Sequence, residues 1–129
     1  MSLNVSAFTC GWLTVPAGLL LAGEEGNFTV PVPAYLIDHP RGRALFDTGL
    51  HVETQTEPDR RLGRLASLHS VRFHPGEEIA TQLQAVSVAS EQIDFIINSH
   101  LHFDHCGGNE QLPNATLLVQ QREWAAARG

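Results

Sequence analysis

Residues 99–109 read Ser-His-Leu-His-Phe-Asp-His-Cys-Gly-Gly-Asn, and no other stretch constrains this chain as tightly. It packs His100, His102, Asp104 and His105 into the pattern His-x-His-x-Asp-His. In a chain with 7 histidines in 129 residues, chance would spell that pattern roughly once in a thousand sequences, so it reports a site. The segment before it, Ile93 to Asn98, is rich in β-branched and aromatic residues and reads as a buried strand. The motif therefore begins where a strand ends. In an extended chain residues i and i+2 point the same way, which lets His100 and His102 grip one cation together. Asp104 and His105 are neighbours and diverge in an extended chain. A short helix from about residue 104 would bring both to a second cation, and Gly107 and Gly108 permit such a turn. Two adjacent cations activate water and polarise a carbonyl. Two plainer readings stay open. A solvated polar loop leaves three imidazoles and a carboxylate crowded without a partner. A structural zinc site favours cysteine and closes with four protein ligands.

The stretch Asn98 to Asn109, with Val119-Gln120 downstream, resembles the metallo-β-lactamase superfamily of metal-dependent hydrolases. Within it the likeness is strongest to the N-acyl-homoserine lactonases and related γ-lactone hydrolases. A second match is Ala44-Leu45-Phe46-Asp47-Thr48-Gly49, a hydrophobic strand ending in Asp-Thr-Gly. The likeness runs from about residue 28 to residue 124. It implies an α+β fold, the N-terminal half of a four-layer αβ/βα sandwich. It also implies zinc or another divalent metal, two per complete enzyme, held in this half by His100, His102, Asp104 and His105. Asp104 would double as a catalytic group, and Asp47 would support the metal ligands from behind without touching metal.

Members of that family are longer, and their second half brings two further histidines, a bridging aspartate and, in lactonases, a tyrosine. After His105 this chain has no His, Asp or Tyr. His39, His51, His69 and His74 lie upstream with no spacing that suggests replacement. Residues 1–129 thus read as a single, incomplete domain. Its expected partners are a lactone substrate and either the missing C-terminal half or a second copy in a homodimer. A lone half should expose much of its inner sheet face and be inactive.

The resemblance implies hydrolysis of the lactone ring of N-acyl homoserine lactones or related γ-lactones, the degradation of a quorum signal. Thioester, β-lactam and phosphodiester hydrolysis are the alternatives within the superfamily, and an inactive half-domain is the alternative outside catalysis. Asp47-Thr48-Gly49 also resembles the active-site triplet of aspartic proteases, a reading that leaves the histidines unexplained.

Composition narrows the partners. A net charge of −6 with eight arginines and no lysine offers no basic patch for nucleic acid. The apolar run at 15–23 is too short to span a bilayer and no positive charge precedes it, so no membrane association is expected. Cys10 and Cys106 are too few for a disulfide framework, which leaves the cytoplasm as the default compartment. Cys106 reads as a small side chain packed behind the motif, with metal ligation or redox sensitivity the sharper alternative.

Along the chain, residues 4–14 predict a first strand. Residues 29–38 predict a second, placed at an edge or bulge by Pro31 and Pro33. Residues 43–47 predict its hairpin return. Residues 50–75 lack strand character. Pro58-Asp59 predicts a helix over 59–68 with Leu62, Leu65 and Leu68 on one face, either a solvated surface helix or a rim or subunit contact above the metal site. A helix over 77–87 turns Ile79, Leu83 and Val86 inward, a strand covers 115–120, and a new helix starts near residue 120.

Overall fold

The computed structural model describes residues 2–129. Six strands form one mixed sheet with helices against it, an α+β architecture. The chain runs β1 (Asn4–Pro16), α1 (Ala17–Leu20), β2 (Asn27–His39), β3 (Gly42–Phe46), α2 (Pro58–Leu62), β4 (Ser70–Arg72), α3 (Ile79–Ala85), β5 (Phe95–Ile97), β6 (Thr116–Leu118) and α4 (Gln121–Arg128). The spatial order is β4-β1-β2-β3-β5-β6. The first four strands in that order pair antiparallel. β3, β5 and β6 run parallel.

Pro31 and Pro33 do not place β2 at the edge of the sheet, because β2 lies between β1 and β3. β3 reaches only Tyr35–His39, however, so the proline stretch has a neighbour on the β1 side alone. Missing N–H donors are tolerated there. The register slips at the same place: Thr9 faces Pro33 and Trp12 faces Pro31, so β1 carries one extra residue. Gly11 takes φ 93° in this bulge, where a Cβ would meet Phe73 at 3.0 Å.

The register also sets what each face of the sheet does. Leu36, Leu45 and Ile96 lie across from one another and are buried with Cys10, Leu13 and Val32 under Ile79 and Leu83 of α3. On the opposite face the row Tyr35, Phe46, Ile97 and Leu118 crosses four strands. Tyr35 and Leu118 are exposed, as are Val5 and Phe95 in the adjoining row. Phe46 and Ile97, at the centre of the row, are half-buried, so this face carries exposed apolar side chains chiefly toward its two ends.

Three helical expectations need correction. The helix predicted over 59–68 ends at Leu62, because Gly63 adopts φ 56° and ψ −126°, outside helical space. A 3-10 segment continues to Ser67; Leu62 is buried while Leu65 and Leu68 stay exposed. In α3 Ile79 and Leu83 point inward as expected, but Val86 falls past the helix end and is exposed. No helix starts at residue 104. The segment 50–75 also holds β4, which adds three residues to the edge of β1; so short a strand carries no alternation to read. Among the described residues, no helix is long and apolar enough to cross a membrane.

Candidate metal centre

The site follows from the parallel pairing of β3 and β5. Phe46 lies beside Ile97, so both strands end together and Asp47 and Asn98 leave the sheet side by side. The ends of parallel strands are where α/β sheets place their ligand sites. Asp47 is buried and holds φ 60°, an uncommon conformation that Asp adopts more readily than most residues. Its N–H donates to the Ile97 carbonyl at 2.9 Å, which ties the strand ends together.

Asp-Thr-Gly works as a strap against the histidine loop. The Thr48 N–H donates to the His105 carbonyl at 2.9 Å, and the Gly107 N–H donates to the Gly49 carbonyl at 2.9 Å. The buried Thr48 hydroxyl donates to Asn109 Oδ1 at 2.7 Å and accepts from the Gly108 N–H at 3.1 Å. Asn109 in turn donates to Asn98 Oδ1 at 2.7 Å, and Asn98 Nδ2 donates to the His105 carbonyl at 3.1 Å. The two glycines permit this approach. A Cβ on Gly107 would lie 2.2 Å from His51 N, and one on Gly108 would lie 2.4 Å from the Thr48 carbonyl oxygen.

The strap explains the missing helix. The His105 and Cys106 N–H groups both donate to the His102 carbonyl, at 3.0 and 3.2 Å, closing one turn. Gly107 then donates to the strap in place of a carbonyl of its own turn. One turn suffices to aim Asp104 and His105 at each other, with His105 Nε2 3.3 Å from Asp104 Oδ2. The ring centroids of His100 and His105 are 3.9 Å apart, and those of His100 and His102 are 4.6 Å apart. The structure therefore brings His100, His102, Asp104 and His105 together, with Asp47 behind them. Its carboxylate accepts the Ser99 N–H at 2.8 Å through Oδ1, and the Ser99 hydroxyl at 2.7 Å and His105 Nδ1–H at 2.8 Å through Oδ2.

Electrostatics follow the contacts. Hydrogen bonds to Asp104 and then Asp47 push metal-free His105 up to about 9. Burial is the largest single influence and would raise the carboxyls of both Asp47 and Asp104, but the bond to and charge of His105, joined at Asp47 by the two Ser99 bonds and at Asp104 by its backbone bond and the charge of His100, together outweigh it and hold both below the usual range. Burial and then the positive field of His105 and His102 lower His100. The loop thus offers ionised carboxylates beside imidazoles crowded against taking up charge together, a donor set suited to a divalent cation. Among the described residues, no three His, Cys, Asp or Glu side chains surround a single point as a finished cage would.

The remaining candidates separate clearly. His51 is spent on Glu110 and the Glu53 N–H. His39 accepts from the Arg41 N–H in the β2–β3 turn. The Cys106 thiol donates to the His102 carbonyl at 3.3 Å, and burial raises its pKa, so it packs behind the loop. Two participants had no sequence signal. Glu123 on α4 accepts the Leu101 N–H at 2.9 Å and steadies the loop. His69 meets Phe103 edge-on at 5.1 Å and lines the same cavity of about 660 Å3 as the motif. Leu13, Val15, Leu20, Val30 and Leu65 supply its apolar wall.

Residues 28–128 match the Metallo-beta-lactamase superfamily. The chain belongs to that superfamily. It is 33% identical over 105 residues to the N-acyl homoserine lactonase AttM of Azorhizobium caulinodans, which covers 81% of this chain and 40% of that protein. It is 34% identical over 128 residues to the N-acyl homoserine lactonase of Bacillus cereus, covering 88% of this chain and 50% of that one. An N-acyl homoserine lactone hydrolase solved with N-hexanoyl-L-homoserine at its catalytic metal centre superposes with a TM-score of 0.88 at 26% identity, over 100% of this chain and 53% of that chain. The chain thus has the metallo-β-lactamase fold over about half the length of these lactonases.

Proposed function

We propose that this chain is the N-terminal half of a metal-dependent lactonase acting on N-acyl homoserine lactones or related γ-lactones. One observation carries the reading. His100, His102, Asp104 and His105 line one part of a cavity of about 660 Å3 whose remaining wall is largely aliphatic. That division suits a molecule with a polar ring at one end and an acyl chain at the other. The relatives from Azorhizobium caulinodans and Bacillus cereus are N-acyl homoserine lactonases, which supports the same substrate class.

In this reading His100 and His102 would hold one zinc, and Asp104 and His105 would hold a second. Bound there, zinc would supply Lewis acidity to the carbonyl and would make water a stronger nucleophile. Asp47 acts through His105, whose Nδ1–H it holds so that Nε2 faces the site. Asp104, kept ionised, orients the attacking water and accepts its proton. As the water oxygen bonds to the lactone carbonyl carbon, the ring C–O bond breaks. Asp104 then passes the proton to the departing ring oxygen, giving the ring-opened N-acyl homoserine.

The isolated chain is proposed to be inactive, because among the described residues no three His, Cys, Asp or Glu side chains form a closed cage. The apolar row of Tyr35, Phe46, Ile97 and Leu118, exposed at its two ends, fits a C-terminal half better than a homodimer, since the same half would bring the outstanding ligands. With two free cysteines, a cytoplasmic location is the natural one.

The test is acid release from N-hexanoyl-homoserine lactone by this chain joined to its C-terminal half, with zinc. Ring opening that His102→Ala abolishes is expected. Hydrolysis of a β-lactam or thioester in preference to the lactone would replace the substrate assignment.

A further inference from the structure

We infer that Ser99 is a positioning residue that sets the tautomer of His100, so that one buried carboxylate, Asp47, orients two imidazoles at once. The inference rests on the metal-site reading above and extends it to a residue outside the His-x-His-x-Asp-His pattern.

Counting protons around Asp47 fixes which atoms donate. Asp47 Oδ2 lies 2.8 Å from His105 Nδ1 and 2.7 Å from the Ser99 hydroxyl. An ionised carboxylate only accepts, so both neighbours must donate to it. The Ser99 hydroxyl has one proton, and that bond uses it. Ser99 Oγ also lies 2.9 Å from His100 Nδ1. With its proton committed to Asp47, the oxygen has only lone pairs to offer there, so His100 must carry its proton on Nδ1. A neutral ring protonated on Nδ1 leaves Nε2 bare. Asp47 thus fixes the Nδ1–H of His105 directly and that of His100 through Ser99.

The geometry closes at the backbone as well. The Ser99 N–H donates to Asp47 Oδ1 at 2.8 Å, so both carboxylate oxygens hold this residue. Although Ser99 is an exposed residue, its hydroxyl is fixed on a buried partner. Its distance to His105 Nδ1 is 3.4 Å, which places the hydroxyl between the two rings. An alanine here would keep the backbone bond and remove only the relay. Threonine keeps the hydroxyl and should keep the relay.

Nitrogen NMR of metal-free chain labelled in its histidines tests this without metal or substrate, so it stands apart from the lactonase assignment. At a pH where His100 is neutral, its Nδ1–H tautomer should dominate in the wild type. In Ser99→Ala that tautomer should lose its dominance while the His105 Nδ1 contact with Asp47 persists. Ser99→Thr should restore it. Zinc affinity, titrated with the metal alone, should fall about 10-fold in Ser99→Ala and recover in Ser99→Thr. An unchanged His100 tautomer in Ser99→Ala would overturn the inference. So would simultaneous loss of the His105 contact, which would mean that the hydroxyl supports the whole loop and not one ring.

Discussion

The loop at 98–109 and the segment at 52–72 both follow strands and both contain titratable side chains, yet they are built differently. In the loop, buried Asp47, Thr48 and Asn98 hold its backbone and rings through a continuous hydrogen-bond network. In the segment, Arg60 reaches Glu53 and Glu57 with its own side chain 73% exposed, and Leu65 and Leu68 face solvent. Buried networks over-determine a geometry, whereas exposed ion pairs contribute little. The first region is constructed to hold side chains in place, and the second only to cover.

The largest break in that contrast should come from the two glycines. Gly108→Ala drives a Cβ to 2.4 Å from the Thr48 oxygen and 2.8 Å from Ile79, both on packed elements. We expect a loss of about 3 kcal/mol or more in denaturant unfolding, the upper range for overpacking. A loss under about 1 kcal/mol would show that the strap yields. Next comes Asp47→Asn, which keeps the shape but weakens the hold on His105. Zinc affinity should fall about 10- to 100-fold, read by competition with a chromophoric chelator. An unchanged affinity would remove Asp47 from the site.

The pH response should be smaller and confined to the loop. In metal-free chain His105 is raised to about 9 from 6.5, so its contribution to stability is complete below 6.5 and is lost as pH climbs through 9. Asp47 is lowered from 3.8, so its contribution is present above 3.8 and is lost as pH falls through its depressed value. Unfolding free energy should therefore peak between these limits and decline toward pH 10; a flat profile from 6 to 10 would contradict the His105 pairing. Smallest of all, Leu68→Ala should change stability by less than about 0.5 kcal/mol, because the side chain is exposed. A cost above 1 kcal/mol would mean that segment 52–72 packs more tightly than the contrast allows.

The sequence foretold the first region better than the second, for a physical reason. The motif is local: strand exit, i and i+2 spacing and two glycines sit within a dozen residues. Asp-Thr-Gly was legible as a partner only through the family resemblance, since its bonds to Ser99 and His105 span 52 and 58 residues. The break at Gly63 depended on one backbone conformation that leucine spacing does not encode. β4 depended on a neighbour, β1, to pair with. His69 and Glu123 reach the site from distant elements, and nothing in their own surroundings marks them.

The central claim is that His100, His102, Asp104 and His105 form part of a metal site that other ligands must complete. Zinc titration of the 129-residue chain, followed on the ring resonances of His100, His102 and His105, tests it most directly. The account predicts that all three shift together, with weak binding and no lactone hydrolysis. Tight binding of two zinc ions by a monomer that opens the lactone, or binding that leaves these three rings unmoved, would contradict it.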